Sequence, residues 1–197
     1  MGDDFLRALI GFFAIVDPVG NVLVFEAVAG QLSTRDQVRT AALAVVVSFG
    51  LIALFAVAGQ SVLDLLSISQ PSFQIAAGVL LVLPAIRLVE QGELFDKADQ
   101  PGESTIDAAI VPLALPMLSG PGALALAISS SQQAGTGLTI LAAGLVLAGT
   151  FVVFASTALL VRVVPSTMLR AFARIMGVVL MAIAVDFIVS GWVEATR

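Results

Sequence analysis

The chain has 197 residues, 59% of them hydrophobic and 12% charged, with a net charge of −5 and a mean hydropathy of +1.07. A soluble domain carries about 25% charged residues, and this chain has too few polar groups to cover itself in water, so it reads as an integral membrane protein. It has no Cys, His or Tyr, and Lys97 is its one lysine, which argues against thiol or imidazole metal sites, disulfides, histidine bases and nucleic acid as a partner.

The acidic start Met1-Gly2-Asp3-Asp4 lacks the basic region of a secretory signal, so the whole chain is read as mature. A membrane-crossing helix needs roughly 20 mostly apolar residues. Six such spans fit between the charges: 5–29, 41–63, 71–89, 108–132, 138–161 and 171–192. No residue between Asp107 and Arg162 is charged, and the polar run from Ser129 to Gly137 divides that stretch in two. The segment from Gly59 to Pro71 separates the second and third spans.

With six spans, Arg35, Arg39, Arg87, Lys97, Arg162, Arg170 and Arg174 share one side, against Arg7 and Arg197 on the other. Positive charge favours the cytoplasm, so both termini are expected outside, with Trp192 at the outer interface. The fold class expected is an all-α membrane protein built as two inverted three-helix repeats. Residues 1–92 form the first, 93–106 an acidic cytoplasmic linker, and 107–197 the second. The repeat shows where Asp17-Pro18-Val19-Gly20 aligns with Gly120-Pro121-Gly122-Ala123, and where Phe73, Gly78, Val79, Leu81 and Gly92 align with Phe172, Gly177, Val178, Leu180 and Gly191. Three spans per half force the second half to be inverted, the arrangement of many secondary transporters with a site at the midplane.

The first span of each half carries a helix break. Asp17 is expected to cap a restart at Pro18, and Ser119 or Gly120 a restart at Pro121. A lone proline in a membrane helix is more often a kink, but two repeat-related breaks, one with a buried Asp, favour a site. Each restart presents unpaired N–H groups and about half a positive charge, suited to a carboxylate. The substrate-binding candidates are therefore Asp17, Pro18, Gly20, Asn21, Ser119, Gly120, Pro121 and Gly122. Asp17, Asp186 and Glu26 are the candidates for a coupling proton. Arg87 and Asp186 occupy matching repeat positions but different depths, so a direct pair is not expected; Arg87 is read as reaching the loop acids. Pro84, Pro112 and Pro116 read as kinks, and Gly78, Gly144, Gly149 and Gly177 as helix-packing positions.

The motif Ile15-Val16-Asp17-Pro18-Val19-Gly20-Asn21, the segment Val111-Pro112-Leu113-Ala114-Leu115-Pro116-Met117-Leu118-Ser119-Gly120-Pro121-Gly122-Ala123 and the softer Ala77-Gly78-Val79-Leu80-Leu81 together resemble the MarC family of membrane proteins, also called the small neutral amino acid transporter family. The resemblance covers essentially the whole chain. It implies six spans, a place among amino acid exporters of the lysine-exporter type, and small neutral substrates such as alanine or glycine, with proton coupling an open option. Leu23, Arg87 and Asp186 depart from the family pattern, standing where Pro, an acidic residue and Gln are usual.

The function expected is a secondary transporter, exporter or exchanger, of small neutral amino acids, bound at the bilayer midplane between the broken helices. The alternative is a small channel or ion-conducting pore using the same breaks. No enzymatic activity, metal or cofactor is expected. The expected partners are a small-molecule substrate and the lipid bilayer of the inner membrane, with homo-oligomerisation left open.

Overall fold

The computed structural model describes residues 2–92 and 109–196. The expected linker 93–106, with Lys97, and the terminal Arg197 lie outside the described residues. Regular structure among the described residues is all helical: α1 (Gly2–Val16), α2 (Val22–Ala29), α3 (Thr34–Leu65), α4 (Gln70–Gln91), α5 (Ala109–Leu118), α6 (Pro121–Gln133), α7 (Thr136–Ala155), α8 (Thr157–Val163) and α9 (Ser166–Ala195).

Four of these, α3, α4, α7 and α9, are long and apolar enough to cross a membrane. Only 28% to 39% of their most apolar stretches is buried. Side chains such as Val46, Val57, Leu83, Leu141 and Ile175 point outward, which water would penalise and lipid does not. Trp192, near the end of α9, is also exposed.

Local chemistry sets the helix ends. Ser33 accepts the Asp36 N–H at 3.3 Å and starts α3 seven residues before the span expected from hydropathy. Ser69 does the same for Ser72 at the start of α4, where Pro71 occupies the first turn. Helix α4 ends at Gly92, whose φ of +72° is open to glycine without strain. The expected span 138–161 is divided at Ser156, whose N–H donates to the carbonyls of both Val152 and Val153. Helix α5 is wound wider than an α-helix: the Ser119 N–H reaches five residues back to the Ala114 carbonyl at 3.1 Å. Pro112 and Pro116 each lack an N–H, so the α-helical ladder is interrupted twice within this segment, which favours a wider turn.

The most extensive packing joins α4 to α9, antiparallel. A Cβ on Gly78 would lie 2.8 Å from an Ile188 side-chain carbon and 3.1 Å from Phe187; a Cβ on Gly177 would lie 2.8 Å from Leu88 and 3.0 Å from Val89. A shift of 99 residues turns Gly78, Leu88 and Val89 into Gly177, Phe187 and Ile188. The same shift relates the approach of Gly92 to Arg170 and that of Gly191 to Pro71. Each contact is thus repeated with the two helices exchanged, as in a two-fold interface. In the same sense, α1 packs on α7 and α5 packs on α3.

Candidate functional site

Helix α1 stops at Val16, and the following proline disfavours right-handed helical geometry at Asp17. Asp17 takes a φ of +43°, a left-handed conformation that Asp tolerates better than most residues. Its Oδ1 then accepts the Gly20 N–H at 3.0 Å, closing a turn over Pro18 and Val19. Asn21 Nδ2 donates back to the Val16 carbonyl at 2.7 Å. The sequence reading is corrected here. Asp17 accepts from the residue three positions on, as an N-cap does, and its carbonyl accepts the Asn21 N–H at 3.1 Å, but residues 18–21 form a turn and the regular helix α2 begins at Val22, not at Pro18.

Helix α6 begins at Pro121, preceded by Gly120 in an extended conformation that offers no side-chain cap. The first N–H groups after Pro121, those of Gly122 and Ala123, have no partner within the helix. The structure brings this helix start and the Asp17 turn to one cavity of about 360 Å³. Ile15, Asp17 and Asn21 line it from one side and Gly120, Pro121 and Gly122 from another; α4 adds Leu81, Pro84 and Arg87, and α9 adds Leu180. Asp17 is 4% exposed and Asn21 2% exposed. Asp17 Oδ2 and Asn21 Oδ1 are buried without a hydrogen-bond partner among the described residues. A buried polar atom left so costs about 1–3 kcal/mol, and both belong to side chains that line the cavity.

The other candidates lie elsewhere. Ser119 Oγ donates to the Ala114 carbonyl at 2.8 Å, so it holds the wide turn of α5. The Gly20 N–H is taken by Asp17 and Pro18 sits within the turn; neither they nor Ser119 lines the cavity. Glu26 is half-buried on α2 and lines neither this cavity nor a second one of about 400 Å³. Asp186 lines that second cavity with Asp4, Arg7, Gln133 and Glu194. Arg87 and Asp186 are thus apart, whereas Arg87 shares a cavity with Asp17, a placement that counting residues from the span centre missed. Its register with Leu80, Leu83 and Pro84, at spacings of seven, four and three, was the signal for it. Among the described residues no cluster of side chains is able to hold a metal ion.

A sequence profile described as MarC family integral membrane protein matches residues 3–196. Similar proteins include the UPF0056 membrane protein YhcE of Escherichia coli K12, 35% identical over 95% of this chain and 91% of its own. A UPF0056 membrane protein of Archaeoglobus fulgidus is 30% identical over 96% of this chain and 92% of its own. The UPF0056 inner membrane protein MarC of Escherichia coli is 28% identical, covering 96% and 94%. No solved structure matches the chain.

Proposed function

The chain belongs to the MarC family of integral membrane proteins, and from that premise we propose that it is a secondary transporter of small neutral amino acids in the inner membrane. The single observation that carries the reading is the cavity shared by the Asp17 turn and the start of α6, with unpartnered oxygens on Asp17 and Asn21. A zwitterion matches it. Its ammonium answers the Asp17 carboxylate and the Asn21 carbonyl oxygen, and its carboxylate answers the N–H groups opening α6 and the Arg87 guanidinium. Leu81, Leu180 and Met117 leave room for a small apolar side chain and little for a charged one.

In this reading α1 with α2, and α5 with α6, are discontinuous spans that join the four long helices to make six. The exchanged contacts between α4 and α9 support an inverted repeat. Transport then proceeds by movement of one repeat against the other, and the reading assigns the chain no covalent chemistry.

Counterflow in proteoliposomes loaded with alanine, glycine or serine tests the proposal. Uptake of labelled alanine driven by internal unlabelled alanine is the expected result. Absence of exchange for all three amino acids, with or without a pH gradient, would overturn it. Currents far above carrier turnover would favour a pore.

A further inference from the structure

The two cavities are built on the same four helices. Helix α1 lines the first with Ile15 and the second with Ala8; α4 with Leu81 and Gln74; α6 with Gly122 and Leu126; α9 with Leu180 and Phe187. The spacings are seven, seven, four and seven residues, so each pair shares one helical face. Seven residues rise about 10 Å, which makes the cavities successive chambers along one axis. Between them the same faces carry Phe12, Ala77 and Ala184, at 0%, 1% and 0% exposure. These buried side chains occupy the level between the two chambers.

The second chamber is polar where the first is mostly apolar. Asp4, Arg7, Asp186 and Glu194 line it together with glutamine amides. Asp186 lies nine residues before the end of a 30-residue apolar helix, where a carboxylate facing lipid is costly and one facing a water-filled chamber is not. The chamber also carries both signs of charge, so it suits the same zwitterion as the first.

We infer that the chamber at Arg7 and Asp186 is the far-side station of the translocation route that passes through the Asp17 cavity, and that Phe12, Ala77 and Ala184 form the closed gate between them. The inference rests on the transporter reading for its substrate, but not for its geometry.

The chain has no native cysteine, so single cysteines report access directly. Gln74→Cys and Met117→Cys are to be labelled in intact cells and in inverted vesicles with a charged, membrane-impermeant thiol reagent. Each is expected to react from one face, and the two from opposite faces. Adding Phe12→Ala, or Phe12→Leu should the alanine variant fail to fold, is expected to make each cysteine reactive from both faces. Labelling of both from the same face, of neither, or one-sided labelling unchanged by thinning Phe12 would overturn the route. Alanine counterflow is read separately on the unsubstituted chain. Opposite-face labelling without counterflow would remove amino acid transport while still supporting a two-ended route; counterflow with same-face labelling would do the reverse.

Discussion

Asp17 has two jobs that one substitution separates. Its Oδ1 closes the turn through Gly20, while Oδ2 is unpartnered within a residue that lines the cavity. Asn tolerates the same left-handed conformation and keeps the acceptor that Gly20 needs. Asp17→Asn is therefore expected to retain the fold, with a melting temperature in detergent close to that of the parent, while losing the charge that meets an ammonium. A hydrogen bond to a charged group contributes about 2 kcal/mol, so alanine counterflow should fall by roughly thirtyfold. Equal counterflow in the two proteins would remove Asp17 from the site. Gly122 gives a steric counterpart. A Cβ there would lie 2.8 Å from Leu81 Cγ, and Leu81 lines the cavity. Gly122→Ala is expected to push Leu81 inward and weaken transport of serine more than of glycine. An unchanged ratio of serine to glycine counterflow would count against this wall of the site.

At the scale of elements, the exchanged contacts between α4 and α9 carry an energetic prediction. Gly78 and Gly177 face Phe187 with Ile188 and Leu88 with Val89, the same contact with helices exchanged. Overpacking a closely packed interface costs about 1–3 kcal/mol. Gly78→Val and Gly177→Val are expected to destabilise by similar amounts, whereas Gly149→Val, where an added Cβ meets nothing within 4 Å, should be close to neutral. Thermal unfolding in detergent checks all three; a large inequality between the first two would contradict the two-fold relation. The long helices and the start of α6 were legible in the sequence, because hydropathy marks lipid-facing length and a Gly-Pro pair marks a helix start. The restart at Val22 was not. Capping statistics name Asp as an N-cap, and Asp17 does accept the Gly20 N–H, but its left-handed backbone leads into a turn over 18–21 that delays the regular helix to Val22. The division at Ser156 carried no Pro or Gly to announce it. The cavity itself was half legible. Both breaks stood out by residue type, whereas the partners from α4 and α9 depend on helix packing that spacing alone does not reveal.

At the scale of the molecule, the route from Arg7 to Thr34 bears on how many times the chain crosses the membrane. Arg7 lines the polar chamber together with Gln132, and Gln132 Nε2 donates to Gln60 Oε1 at 2.9 Å. The first turns of α1 are therefore level with Gln60, near the C-terminal end of α3. Thr34 lies 26 residues earlier in that same uninterrupted helix, about 39 Å away at 1.5 Å per residue. The chain must cover that distance between Arg7 and Thr34, and from Arg7 onward the helical residues 7–16 of α1 and 22–29 of α2 extend together by about 27 Å, the turns at 17–21 and 30–33 adding the rest. That matches a hydrocarbon core of about 30 Å, so the pair is expected to cross once despite the interruption at Asp17. The expected consequence is that a topology reporter inserted after Gly2 and one inserted in segment 30–33 report opposite faces. Reporters after Gly92 and after Gly135 should also report opposite faces, from the crossing by α5 and α6. The location of the termini alone is no test, since four crossings and six crossings both leave them on one side. Should the reporters at Gly2 and in segment 30–33 share a face, α1 and α2 would form a re-entrant pair, and the chain would cross fewer than six times.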